Sequence, residues 1–279
     1  MDAYQPLLWD HLEKLCAFGP RNPGSAGHAQ ARAYIREIAG RTADTWQEQE
    51  FEVETSDRET VTLYNIELNF KGTRDQPPIL LGAHYDTRPY ADEEIDPVLK
   101  SQPIIGANDG GSGTAVLLGL AQYLHDHPPA RPVRIVFFDG EDYGVRFSSD
   151  YFLGSTHYAD QLAGQDKTLW PHAVLVVDMV GDKDLRILKE VNSTKSAPGL
   201  VDTLFQKAGE LGMDQFFPKY GYAVRDDHIP FAAIGIPSVL LIDMEYPHWH
   251  KLADTLDKCS AESLFAVFTV VAQSLPEIN

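Results

Sequence analysis

Four short apolar runs constrain this chain more than any other feature. They are residues 79–81 (Ile-Leu-Leu), Val133–Phe138, residues 173–177 and Ser238–Ile242. Between them lie segments with helical periodicity. Nearly continuous apolar strands that alternate with helices indicate a mostly parallel sheet covered on both faces. The expected fold class is α/β. It is a single-domain three-layer α/β/α sandwich over residues 1–279, with a mixed, mostly parallel central sheet.

The flanking segments fit this reading. Leu7, Leu8, Leu12 and Leu15 recur at helical spacing and predict a helix that stops near Gly19. Ser25 offers an N-cap for a second helix, roughly to Gly40. Alternating stretches at residues 47–54 and 62–70 predict a hairpin. Residues 114–124, 200–211 and 260–275 read as helices. No internal repeat or long linker interrupts the chain.

In such sheets, ligands sit beyond the carboxyl ends of the strands. Three strings carry acids or imidazoles where an apolar run gives way to a turn. They are Gly82-Ala83-His84-Tyr85-Asp86-Thr87, Gly106-Ala107-Asn108-Asp109-Gly110-Gly111-Ser112-Gly113 and Phe137-Phe138-Asp139-Gly140-Glu141-Asp142. Buried carboxylates are costly without a positive partner. A divalent metal is the usual remedy, and zinc accepts both imidazole nitrogen and carboxylate oxygen.

Each candidate also has a plainer reading. His84 alone could be a hydrogen-bonded structural histidine, but Asp86 stands ready to hold its second nitrogen. Asp109 could simply cap a helix, but the surrounding glycines also let backbone approach a ligand closely. Glu141 and Asp142 could face solvent, yet they follow a core-type strand. If Asp142 binds metal, Glu141 is free to act as base and acid. Asp178 ends residues 173–177 and is expected to face the same pocket. Asp226-Asp227-His228-Ile229-Pro230-Phe231 and Pro247-His248-Trp249-His250 complete the set. Here His250 is a candidate ligand and Trp249 an apolar wall. His228 is expected to be structural or to support a ligand, and His248 to face solvent. There is no His-Glu-x-x-His, no Gly-x-Ser-x-Gly and no Walker-type phosphate loop.

Charge narrows the partners. The formal net charge is -18, which disfavours nucleic acid and anionic membrane. No run reaches the ~18 apolar residues of a membrane span. The start, Met1 to Pro6, lacks a basic region followed by an apolar core. The compartment expected is cytoplasmic if Met1 is the native start, and periplasmic or secreted if a leader was removed. Cys16 and Cys259 are read as free structural thiols, a single bridge being the alternative.

Taken together, these strings resemble the zinc-dependent aminopeptidase family that also contains the glutaminyl-peptide cyclotransferases. The likeness runs from Phe18-Gly19-Pro20-Arg21-Asn22-Pro23-Gly24-Ser25 through the C-terminal helix. It implies a metal cage of His84, Asp109, Asp142, Asp178 and His250, with Glu141 as general base and acid. In the aminopeptidases Asp109 would bridge two zincs. In the cyclase branch one zinc would be held by Asp109, Asp142 and His250, and Asp178 would serve the substrate's amine beside Asp226. The resemblance also suggests a cis peptide at Asp109-Gly110.

The branch signals are mixed. Asp226–Phe231 and the Trp249-His250 pair look like cyclases. The Asn108–Gly113 string looks more like aminopeptidases, Asp142 replaces the cyclases' usual second Glu, and Leu240 stands where animal cyclases carry a His. The closest likeness is to bacterial-type cyclases. The implied activity is conversion of N-terminal Gln to pyroglutamate on peptides with a free N-terminus. Hydrolysis of N-terminal residues is the alternative. A metal-bound adhesion domain is a third class, which an intact Glu141 argues against.

Overall fold

The structure is a computed structural model, and it describes residues 1–146 and 148–278. Its strands are β1 (Thr45–Glu54), β2 (Thr60–Phe70), β3 (Ile79–His84), β4 (Val133–Phe138), β5 (Ala173–Asp178), β6 (Ile187–Lys189), β7 (Phe216–Tyr220) and β8 (Ser238–Ile242). Its helices are α1 (Tyr4–Ala17), α2 (Ala26–Thr42), α3 (Pro97–Lys100), α4 (Gly111–Asp126), α5 (Leu153–Ala163), α6 (Val191–Ser196), α7 (Pro198–Glu210), α8 (His228–Ile234) and α9 (Ala261–Ser274).

The central sheet has the order β1-β2-β4-β3-β5-β8. β4, β3, β5 and β8 run parallel, while the β1–β2 hairpin adds antiparallel strands at one edge. The sheet is therefore mixed but mostly parallel between neighbours in its buried half. β6 and β7 form a small parallel pair of their own.

Alternate side chains of each central strand enter opposite cores, as the period of two requires. Ile79, Leu81, Ile135, Phe137, Leu175, Val177 and Leu241 join the core shared with α1, α2, α4, α7 and α9. Leu80, Val136, Phe138, Val174, Val176, Leu240 and Ile242 join the core under α5 and α8. Helices thus cover both faces, which gives the three layers. Each buried Leu, Ile or Val stabilises this arrangement by about 1.5–3 kcal/mol.

Several boundaries differ from the sequence reading. The strand expected at 79–81 continues to His84 in parallel pairing with β4, and a Cβ at Gly82 would lie 2.5 Å from the Phe138 ring. The helix expected at 114–124 spans Gly111–Asp126. α5, α8 and the β6–β7 pair had no sequence signal. α5 starts after Phe152, whose φ is 57°, and its first turn is tied down by Phe152 N–H to Glu141 O and Leu153 N–H to Gly140 O. Long-range bonds of that kind leave no local pattern.

The expected cis peptide at Asp109-Gly110 is not found, for no cis bond occurs among the described residues. The chain turns there by another device. Gly110 takes φ +78°, and a Cβ at that position would lie 2.2 Å from Asp86 O. A left-handed glycine makes the turn without an isomerised amide. Cys16 and Cys259 are both free thiols. Among the described residues no helix is long and apolar enough to cross a membrane.

Candidate active site

The parallel strands end on one side of the sheet, and their carboxyl ends carry the polar cluster. β3 ends in His84 and β5 in Asp178. The turn after β4 carries Glu141 and Asp142. The turn before α4 carries Asp109. Gly113, in the first turn of α4, lets that helix sit on β5, since a Cβ there would meet Val177 O at 2.2 Å. This close approach brings Asp109 to Asp178 and His84.

Two groups of ligand-type side chains result, and Asp109 belongs to both. In one, His84 Nε2 lies 3.1 Å from Asp178 Oδ1 and 3.3 Å from Asp109 Oδ1. In the other, His250 Nε2 lies 3.3 Å from Asp142 Oδ1 and 3.7 Å from Asp109 Oδ2. All five residues are buried. His250 approaches from the loop after β8 in a left-handed conformation, φ 55°.

The residues fit a metal. A tetrahedral zinc with bonds of ~2.0–2.2 Å spaces its ligand atoms by roughly 3.3–3.6 Å. The observed separations scatter about that value. Asp109 Oδ2 and Asp142 Oδ2 are buried with no hydrogen-bond partner, and a buried carboxylate oxygen left so is costly.

The electrostatics point the same way. Burial opposes a charge on His84, but Asp178, Asp109 and Asp86 hold its proton well above the ordinary range. Burial likewise opposes charge on His250, yet Asp142, Asp92 and Asp109 raise it to about 9. Burial and the neighbouring Asp142 push Asp109 up to about 7. Burial would raise Asp142 too, but His250 and Arg88 hold it at about 2. A cation from outside would replace those protons.

Glu141 sits beside this cluster, 8% exposed. Burial first, then Asp142 and Asp226, push its carboxyl well above the ordinary range. Its backbone N–H and that of Asp142 donate to Asp86, at 3.2 Å each. Asp226 is buried and also raised well above its usual value, by burial and by Asp178. A cavity of about 1050 Å³ opens over the cluster, with Glu141, Asp178, Asp226, Trp249 and His250 in its lining. Trp249 is 37% exposed and packs against His250, the ring centroids 3.9 Å apart and the planes tilted by 30°.

The chain resembles known proteins along most of its length. Residues 65–275 match the profile of Peptidase family M28. The chain belongs to this family. It is 26% identical to glutaminyl-peptide cyclotransferase of Bos taurus over 288 residues, covering 90% of this chain and 77% of that protein. The solved structure of Porphyromonas gingivalis glutaminyl cyclase superposes with a TM-score of 0.90 at 31% identity, covering 98% of each chain. A Zn-dependent exopeptidase from Parabacteroides distasonis superposes with a TM-score of 0.88 at 30% identity, covering 97% of each chain.

Asp86 lies beside the second nitrogen of His84 as expected in this M28 site, its Oδ1 at ion-pair distance, 3.4 Å from Nδ1, and it also accepts the backbone N–H groups of Glu141 and Asp142. One expectation needs correction. His248 was expected to face solvent. It is half-buried, edge-on to Tyr246 with ring centroids 5.4 Å apart. His228 is fully buried, with Nε2 3.5 Å from Glu190 Oε2.

Several supporting residues escaped the sequence reading. Asp92 lies 3.1 Å from His250 Nδ1. Asp254 accepts the backbone N–H groups of Asn108 and Asp109 at 2.9 and 3.1 Å. Arg21 is fully buried and donates to the carbonyls of Tyr85, Ile105 and Gly106, tying the loops of His84 and Asp109 together. Only Arg21 had a signal, as part of the Phe18–Ser25 string.

Proposed function

We propose that this chain is a zinc-dependent glutaminyl-peptide cyclotransferase. It converts the N-terminal Gln of a peptide to pyroglutamate and releases ammonia. The observation that carries this reading is Trp249 packed against His250 in the lining of the cavity that also holds Glu141 and Asp226. A flat indole suits a small planar ring as it closes.

Asp109, Asp142 and His250 would hold one zinc. Bound there, it supplies a Lewis acid for the oxygen of the substrate's γ-carboxamide. The chain's own groups do the rest. Asp178 and Asp226 orient the neutral α-amine. The amine nitrogen bonds to the γ-carboxamide carbon, and the bond to the amide nitrogen breaks. Glu141 takes the amine's proton and delivers it to the leaving nitrogen, which departs as ammonia. The raised affinity of Glu141 for protons suits both halves of that transfer. Holding amine and carbonyl together supplies much of the rate.

One observation favours a second reading. The two ligand groups share Asp109, an arrangement that suits two metals and hydrolysis of an N-terminal residue. Zinc-loaded protein incubated with a Gln-initiated peptide and with amino-acid amides separates the two. The cyclase removes ammonia from the Gln peptide without shortening it. The aminopeptidase releases a free amino acid.

A further inference from the structure

Arg88 follows the His84–Thr87 string and is 1% exposed. Its guanidinium is fully engaged. Nε and Nη2 donate to the two oxygens of Asp92, both at 2.7 Å. Nη1 donates to Asp142 Oδ1 at 3.1 Å and to the Asp142 carbonyl at 3.4 Å. Nη2 also donates to the Tyr151 hydroxyl at 2.9 Å. Asp92, in turn, meets His250 Nδ1 at 3.1 Å. One planar cation therefore touches Asp142 directly and His250 through a single carboxylate.

We infer that Arg88 is a positioning residue for the metal site. It fixes the Asp142 carboxylate by a bond to Oδ1, the oxygen that also lies 3.3 Å from His250 Nε2, while Oδ2 keeps no hydrogen-bond partner. Through Asp92 it keeps the His250 proton on Nδ1, so that Nε2 faces the metal with its lone pair. The fork geometry is essential. A lysine ammonium is a point charge and cannot grip Asp92 with two parallel bonds while reaching Asp142. This inference rests on the reading of Asp142 and His250 as zinc ligands.

The test is zinc affinity, measured by competition with a chelating dye, alongside the melting temperature of each variant. Wild type and His250→Ala come first. Wild type has to bind zinc and His250→Ala has to lose it; failure of either overturns the ligand reading and this inference with it. Arg88→Ala should then bind zinc about 10–100-fold more weakly, the usual cost of losing a group that supports a ligand. Millimolar guanidinium should restore part of that affinity, which a merely structural loss would not allow. Arg88→Lys keeps a cation in the pocket and serves if the alanine variant does not fold. It too should lose affinity. A folded Arg88→Ala or Arg88→Lys with wild-type zinc affinity overturns the positioning role while leaving the ligand set intact.

Discussion

Trp249 lies against His250 with ring centroids 3.9 Å apart and the planes tilted by 30°. One face of the indole supports an imidazole at the ligand cluster, and the side chain lines the cavity. Trp249→Leu should therefore lower kcat/KM for Gln-peptide cyclisation by about ten- to a hundredfold, the scale of a lost aromatic contact and its buried area. Zinc content should stay near the wild-type value, because His250 is unchanged. An aminopeptidase would instead change its preference among N-terminal side chains. Steady-state kinetics on a panel of peptides distinguishes these outcomes.

Glu141 is the proton carrier of the account. Glu141→Gln should keep the fold and the zinc and lose roughly two to four orders of magnitude in turnover. The amide preserves size and hydrogen-bonding reach but cannot accept the amine's proton. Turnover near that of the wild type would assign the proton transfer to another group.

Gly110 makes the turn that presents Asp109. Gly110→Ala would force a side chain into a left-handed backbone and to 2.2 Å from Asp86 O. The strain in the backbone alone is worth about 1–3 kcal/mol. The variant should melt at a lower temperature and bind zinc less tightly, as read by calorimetry and dye competition. An unchanged melting temperature would mean that the turn can be rebuilt.

The sheet was legible because its strands are nearly all apolar. Ile79 to Leu81, Val133 to Phe138 and the runs ending at Val177 and Ile242 could be little else. His84, Asp109, Glu141, Asp142 and Asp178 were legible because strand ends are where such a fold collects its chemistry. The supports were not. Arg88, Asp92 and Asp254 act across long sequence separations, such as Asp92 with His250 and Asp254 with Asn108. Nothing in a local string announces such a partner. The cis bond suggested by resemblance failed for a local reason, since Gly110 could turn the chain by its own φ.

Zinc binding and stability should respond to pH in a fixed direction. His250 is raised to about 9 from an ordinary 6.5, so in the zinc-free protein its stabilising charge is complete below pH 6.5 and is lost as pH climbs through 9. Asp109, raised to about 7 from 3.8, loses its stabilising proton between those values. The zinc-free protein should melt at progressively lower temperature from pH 6.5 to 9. Zinc competes with the same protons, so its affinity should rise over that range, with proton release on binding. Calorimetry in buffers of different ionisation enthalpy measures both.

The most direct measurement follows the mass of a Gln-initiated peptide incubated with the zinc-loaded protein, beside the Glu141→Gln variant. The account predicts that the wild type removes one ammonia from the intact peptide and that the variant does so far more slowly. Release of free glutamine with a peptide one residue shorter, again dependent on Glu141, would contradict the cyclase reading and establish the hydrolase.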